Sequence, residues 1–237
     1  GRNPRYQLLD LEAFLDQAAE SPGRATFTRG LAALEKGGHA LDENELDTAI
    51  SALNEAVVSF EQGAAYLDNI APYRDALLKL GATYALNADN KSATESFRRA
   101  LLIDRAASLP NLPKQAQKAF EDAGRKVDEA ERVTISVFST PAAAEVYVDG
   151  VFRGATPQVI DRLPAGPHMI RVYKPGMRAA GRTYKVQTAD DTVQFTLKPT
   201  ARAAELEAIT NRIHNDVTTG QGPVLTELAR WAKVDQV

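Results

Sequence analysis

The chain has 237 residues, above the usual size of a single domain and below that of three. Hydrophobic residues make up 44% and charged residues 25%, which excludes wholesale disorder. A net charge of -3 argues against a protein that chiefly binds a phosphate backbone or an anionic membrane surface, so we expect no nucleic-acid partner. The absence of cysteine excludes disulfides, thiolate nucleophiles and cysteine-based metal centres. No run approaches the roughly 18 apolar residues of a membrane span.

Residues 1–132 show the periodicity of α-helices, with hydrophobic residues recurring every three to four positions. The second apolar series should stop near Gly37 and Gly38, since glycine commonly follows the last turn of a helix. Asp42, with Glu45 three residues later, predicts a capping box at the start of the next helix. The predicted helices and apolar series lie, in chain order, at 8–15, 27–34, 42–62, 72–87, 90–105 and 114–131.

The stretch 77–105 has the residue spacing of two short antiparallel helices that pack closely. Small residues let such helices approach each other, and large residues fill the groove between them. The stretch resembles a tetratricopeptide repeat, with Leu77 in place of the usual Trp and Arg105 in place of the closing Pro. The residues that match the family spacing are Leu80, Gly81, Tyr84, Ala88, Ala93, Phe97 and Ala100.

A weaker copy of this pattern lies upstream. Each residue of this copy precedes its counterpart in 77–105 by about ten residues more than the standard repeat length of roughly 34. We expect these extra residues to form the connection 62–71. The resemblance implies antiparallel hairpins in which Gly81 packs against Ala93 or Phe97. A generic helical bundle with one accidental match is the alternative. The upstream residues are Gly37, Ala49, Leu53 and Ala56, which correspond to Gly81, Ala93, Phe97 and Ala100.

From residue 133 the hydrophobic period changes from 3.6 to 2, which indicates β-strands. Glycine or proline separates each alternating segment from the next. Short strands divided by turn residues predict a small, largely antiparallel all-β sandwich or barrel over 133–200. A unit of this size should fold alone, though marginally. The alternating residues are Val133, Ile135 and Val137, then Val146 and Val148, Ile170 and Val172, Tyr184 and Val186, and Val193, Phe195 and Leu197.

The turns within 133–200 carry a second resemblance. Asp149-Gly150 is expected to turn one strand into the next, and Gly166 to allow a tight reversal. The stretch resembles a PEGA domain, a small β module of bacterial envelope and signalling proteins. Its Pro-Glu-Gly-Ala motif reads Pro-Ala-Ala-Ala here, so a positive φ at Ala143 would require a slightly rebuilt turn. The matching residues are Ser139, Pro141, Ala144, Val146–Gly150, Gly154, Thr156, Pro157, Leu163, Gly166, His168, Ile170, Val172 and Gly176.

The sequence carries no recognisable catalytic, cofactor or metal site. It has no phosphate-binding loop, nucleophile elbow or zinc-protease motif. His39, His168 and His214 fall in different regions without metal-ligand spacing, and we expect His168 at a turn or on the surface. These observations predict a non-catalytic protein without cofactor or metal. The alternative is an enzyme, such as a hydrolase-associated subunit, whose carboxylates are assembled from distant helices.

One set of side chains is a candidate docking surface. If the valines and isoleucine of 146–148 and 170–172 face the β core, the residues between them point the other way. That outward face has more apolar character than a solvated face needs. It either packs on this chain's own helices or docks a protein or a glycan. The candidate residues are Tyr147, Met169, Arg171 and Tyr173, with Phe152 and Arg153 at an adjoining turn.

Residues 201–237 return to helical periodicity in two segments. The second segment, Val224–Ala232, would bury Leu225 and Trp231 if it capped the helical region. The alternating residues at 234–237 instead indicate the start of a strand. We therefore expect the chain to continue in a longer protein, with a further α/β-type domain and an envelope anchor. A simple cap is the alternative.

The sequence thus predicts a multi-domain α + β protein. A tetratricopeptide-like helical domain spans 1–132, a PEGA-like β sandwich spans 133–200, and a helical segment spans 201–237. The resemblances imply a non-catalytic interaction or scaffold protein, periplasmic or otherwise extracytoplasmic, whose partner is another envelope protein. The alternative is a sensory or regulatory ectodomain whose β module binds a cell-wall or surface polysaccharide.

Overall fold

The structure is a computed structural model that describes residues 22–187 and 191–219. Within these residues, five α-helices precede seven β-strands, and one further helix follows them. The predicted α + β class, with a two-sheet β region after a helical region, is confirmed. The helix predicted at 8–15, the segment Val224–Ala232 with Leu225 and Trp231, and the strand predicted at 234–237 lie outside the described residues.

The helical region is built from hairpins joined by short connections. A connection over 63–70, which includes a 3₁₀ turn at Ala64–Tyr66, separates the first hairpin from the second, as the surplus in the repeat predicts. Asp89 caps the fourth helix by accepting a hydrogen bond from the Ser92 backbone N–H at 3.0 Å. The helices are α1 Pro22–Asp42, α2 Leu46–Gln62, α3 Ala71–Leu86, α4 Asn90–Ile103 and α5 Lys114–Asp128.

Two predicted helix ends are wrong. Helix α1 continues through Gly37 and Gly38 to Asp42, so these glycines do not end it. Asp42 closes α1 rather than opening α2, whose N-cap is Glu45 without a side-chain capping bond. The physical reason is packing, because α1 approaches α2 so closely at Gly37 that an added Cβ would lie 2.6 Å from Leu53 Cγ.

Glycine sets the helix separation in both hairpins. A Cβ added at Gly81 would lie 2.7 Å from the Phe97 ring, so the predicted contact between α3 and α4 is confirmed, with Phe97 as the partner. Gly37 faces Leu53 in the same way in the first hairpin. The corresponding small residues Ala49 and Ala93 are fully buried. The two hairpins therefore repeat one packing arrangement, and the helical region is a helical repeat.

The β region is a sandwich of two sheets. Its strands are β1 Arg132–Thr140, β2 Glu145–Val148, β3 Val151–Ala155, β4 Gln158–Pro164, β5 Gly166–Tyr173, β6 Ala180–Val186 and β7 Asp191–Thr196. The first sheet has the order β4-β1-β7, with β1 parallel to β7, and the second has the order β3-β2-β5-β6 and is antiparallel. The predicted alternation is confirmed, because Val133, Ile135 and Val137 face the core with 2% exposure or less.

Left-handed residues form the tight turns of this sandwich. Asp149 and Gly150, with φ of 51° and 76°, join β2 to β3, as predicted. Gly166 has a φ of 152° at the β4–β5 reversal. Ala143 stands at the glycine position of the Pro-Glu-Gly-Ala motif and has a φ of 59°, so the backbone keeps a conformation that favours glycine.

The described residues fall into two compact units. One comprises 22–173, 179–187 and 191–197, and so contains α1–α5 and both sheets. The other comprises 174–178 and 198–219, with α6 at Ala203–Thr219. In this second unit the Thr200 backbone N–H and hydroxyl both donate to the Gly176 carbonyl, at 2.9 and 3.1 Å. None of the helices in the described ranges is long and apolar enough to cross a membrane.

Candidate functional site

The predicted outward face of the second sheet exists, but the protein's own helical region covers most of it. Val146, Val148, Ile170 and Val172 are fully buried in the sandwich. Alternation therefore points the residues between them at the opposite face. Met169 on that face is 3% exposed and belongs to the hydrophobic core of the helices.

The connection 63–70 is the segment that covers this face. Gly181 of β6 lies against it so closely that an added Cβ would be 2.6 Å from the Ala64 carbonyl carbon. Ile70, at the end of the connection, packs on Gly150 of the β2–β3 turn. The connection 63–70 thus packs directly against the second sheet.

Arg171 is the polar centre of this contact. Its Nε–H donates to the Ala65 carbonyl at 2.8 Å, and its guanidinium pairs with the Asp68 carboxylate at 2.7 Å. The guanidinium carbon lies 5.7 Å from the centre of the Tyr147 ring and 5.5 Å from that of Tyr173. Hydrogen bonds and cation–π contacts therefore fix one arginine between the β sheet and the helical connection.

These contacts correct the docking prediction for two of its six residues. Met169 and Arg171 are buried within the protein, because the connection 63–70 lies over them, and are not available to a partner. Tyr147 and Tyr173 are half-buried beside Arg171. Phe152 and Arg153 are exposed, and they lie within strand β3 rather than at a turn.

The accessible part of the candidate surface is therefore the edge of the second sheet at β3. Val151 and Phe152 are 50% and 57% exposed. The Phe152 ring lies 5.6 Å from that of Tyr147, whose hydroxyl donates to the Glu145 carboxylate at 2.6 Å. This hydrogen bond is the main reason that the pKa of Tyr147 is raised. We define Val151, Phe152 and Arg153 as the β3 rim.

A small cavity lies beside the β3 rim, between the sheet and the helical connection. Its volume is about 120 Å³. The cavity is lined by apolar residues and by the Arg171–Asp68 ion pair, so its lining has no net charge. The lining residues are Leu67, Asp68, Tyr147, Gly150, Met169 and Arg171.

The sequence analysis expected His168 at a turn or on the surface, and this expectation is wrong. His168 is 1% exposed, and its Nδ1 lies 2.6 Å from Asp149 Oδ2 while its Nε2 lies 2.7 Å from the Pro164 carbonyl oxygen. The other Asp149 oxygen accepts a hydrogen bond from the Met169 backbone N–H at 2.9 Å. Strand alternation could have predicted this burial, because His168 lies on the same face of β5 as the buried Ile170 and Val172.

Opposing effects act on the pKa of His168. Burial lowers it, but the hydrogen bond and charge of Asp149 and the Pro164 carbonyl outweigh burial, so the net pKa is raised above the usual 6.5. The charge of Arg153 acts in the lowering direction. Within the described ranges, no three His, Asp or Glu side chains converge as a metal site requires.

Comparison with known proteins agrees with the β-sheet geometry. The model of the PEGA domain family matches residues 132–201, which include the seven strands of the sandwich. No curated protein matches the chain. The family match covers the β module alone.

Proposed function

We propose that this chain is a non-catalytic interaction module of the bacterial cell envelope, in which tetratricopeptide-type hairpins and a PEGA domain form one scaffold for another protein. The equivalent contacts of Gly37 with Leu53 and of Gly81 with Phe97 support the tetratricopeptide assignment. The PEGA match supports a surface-associated module. We therefore propose a location in the periplasm or elsewhere outside the cytoplasm.

The observation that carries the proposal is the exposure of the β3 rim. Edge strands present unpaired backbone groups, and proteins usually protect them with charged or polar residues. Here two adjacent apolar residues, Val151 and Phe152, are at least half exposed on such an edge. Exposed aromatic residues next to an arginine are typical of the anchoring residues in protein interfaces. The β3 rim is therefore our proposed contact for the partner protein.

Site-specific photo-crosslinking tests this contact. A photoreactive phenylalanine analogue placed at Phe152 should yield one defined crosslinked protein in cells of the native organism. The same analogue at Phe138, which is 42% exposed on the other sheet, serves as the matched control. Equal crosslinking at both positions, or none at 152, would contradict the proposal.

A polysaccharide is the second candidate ligand, and the aromatic pair of Phe152 and Tyr147 favours it. An exposed Phe152 ring beside the Tyr147–Glu145 hydrogen bond offers an apolar face next to polar groups, as small-ligand sites do. Titration with soluble cell-wall fragments should then shift the Phe152 and Tyr147 ring resonances. The substitution Phe152→Ala should abolish binding without altering the fold. Unshifted ring resonances would remove this candidate.

A further inference from the structure

The Asp149–His168 pair lies where three parts of the protein meet. Asp149 belongs to the β2–β3 turn, His168 to β5 of the second sheet, and Pro164 to the end of β4 in the first sheet. The next residue of the turn, Gly150, packs on Ile70 of the helical connection. The Met169 backbone N–H donates to the Asp149 carboxylate, and the Met169 carbonyl accepts from the Asp149 backbone N–H. The Met169 side chain is part of the hydrophobic core of the helices.

The geometry sets the protonation of this pair. A carbonyl oxygen can only accept, so Nε2 of His168 carries the proton that it shares with Pro164. An ionised carboxylate also only accepts, so Nδ1 of His168 carries the proton that it shares with Asp149. The Met169 backbone N–H donates to the other Asp149 oxygen. With Asp149 as a carboxylate, both ring nitrogens therefore carry a proton and the ring is an imidazolium.

Losing that proton would break one of the two bonds. A neutral ring has a single N–H, so either Asp149 or the Pro164 carbonyl would then face a nitrogen lone pair in a site from which water is excluded. Buried ion pairs are destabilised strongly when one partner loses its charge. The contact that ties the turn to β5 therefore depends on one proton.

From this geometry we infer that the Asp149–His168 pair is a proton-dependent contact, formed at neutral and mildly acid pH and weakened at alkaline pH, that holds the β2–β3 turn and Met169 against the helical region. Two further groups face the imidazole. The positive charge of Arg153 on β3 lowers the pKa of His168. Tyr184 on β6 is the cross-strand neighbour of His168, and because its own pKa is raised above 10.0, it stays neutral while His168 titrates. The inference is independent of the proposed partner.

Linkage gives the direction and the pH window. The folded protein holds the His168 proton more tightly than the open turn, where the pKa is about 6.5. The stabilisation is therefore complete below about pH 6.5 and is lost as the pH rises through the raised pKa of the folded state. Within that window, the equilibrium constant for opening the turn should rise by up to about tenfold per pH unit.

Nuclear magnetic resonance of the full chain tests the inference in two ways. The ring nitrogen shifts of His168 should report an imidazolium at pH 7, with a midpoint above 6.5. The hydrogen-exchange protection of the Met169 amide, corrected for intrinsic exchange, should fall across the same titration. A neutral His168 ring at pH 7 would overturn the inference, and this measurement requires no variant.

Three substitutions distinguish the effect of the Asp149–His168 pair from a general effect of pH on the protein. Asp149→Asn keeps an oxygen for the Met169 N–H and tolerates the left-handed turn, but its amide can donate to a neutral ring. We expect it to lower the His168 midpoint below that of the wild type and to abolish the alkaline loss of protection. Arg153→Gln should raise the midpoint, and His39→Gln, at an exposed position on α1, should change neither measurement. An unchanged midpoint in Asp149→Asn, or the same alkaline loss of protection, would refute the inference.

Discussion

Ala143 keeps a backbone conformation that glycine adopts at no steric cost. Its φ of 59° carries a penalty of about 1–2 kcal/mol for an L-residue. The substitution Ala143→Gly removes that penalty but adds about 0.5–1 kcal/mol of backbone entropy to the unfolded chain. We therefore expect a net stabilisation of about 0.5–1 kcal/mol in urea unfolding.

The matched control for Ala143→Gly is Ala155→Gly. Ala155 is also exposed, but it lies within strand β3 and has no positive φ. Glycine should lower stability there by about 0.5–1 kcal/mol. Equal effects of the two substitutions would show that the φ of residue 143 does not limit stability.

Arg171 and Asp68 form one ion pair, yet the two residues should contribute very differently. Arg171→Lys keeps the charge but loses the Nε–H bond to Ala65 and the planar group between two tyrosine rings, so we expect a loss of about 1–3 kcal/mol. Asp68→Asn should cost less than about 1 kcal/mol, because the Asp68 side chain is 70% exposed. Urea midpoints measure both, and equal losses would contradict this assignment.

At the scale of the helices, the glycines of the hairpins differ in what faces them. Gly81→Ala would place a methyl group against the Phe97 ring, and we expect a destabilisation of about 1–3 kcal/mol. Gly38 faces the mobile end of Lys79, which can move aside. Gly38→Ala should therefore be neutral or stabilising by up to about 1 kcal/mol, because alanine favours the helix.

Thermal unfolding of the two variants decides this prediction. Since both substitutions add the same methyl group to a helix interior, their difference measures helix packing alone. Gly37→Ala, against Leu53, should resemble Gly81→Ala if the two hairpins are true repeats. Similar melting temperatures for the variants at 38 and 81 would refute the packing role.

The sequence was most informative where a period could be read directly. Alternation identified the core strands and the two faces of β5, and the repeat spacing predicted that Gly81 packs against Ala93 or Phe97. It failed at Gly37, because a helix-ending glycine and a helix-packing glycine look alike without the neighbouring helix. The burial of Met169 and Arg171 depends on a connection about 100 residues away, which no local pattern reveals.

At the scale of the whole molecule, α1–α5 and the sandwich should unfold together. They belong to one compact unit, and Met169 completes the helical core from the sheet side. We expect coincident transitions for helical circular dichroism and for the His168 ring resonance. Gly81→Ala should lower both equally. A β transition that is unchanged in this variant would show that the sandwich is stable alone.

The same dependence bears on a β module expressed alone. The sequence predicts that 133–200 folds marginally, and the structure adds that removing the helices would uncover Met169 and Arg171. Replacing Met169 with a polar residue in the isolated module should reduce its self-association. Sedimentation velocity would measure this, and a monomeric, stable unmodified fragment would contradict the expectation.

The contact between Arg171 and Ala65 spans 106 residues, and this separation has a consequence during synthesis. Ribosomes add roughly 5–20 residues per second, and N-terminal segments fold first. The helical hairpins therefore wait about 5–20 s for the strand that covers them. Throughout that interval, Ala64 and Leu67 remain uncovered on the nascent chain and open to chaperones. The second sheet, synthesised later, then packs its outer face on helices that have already folded.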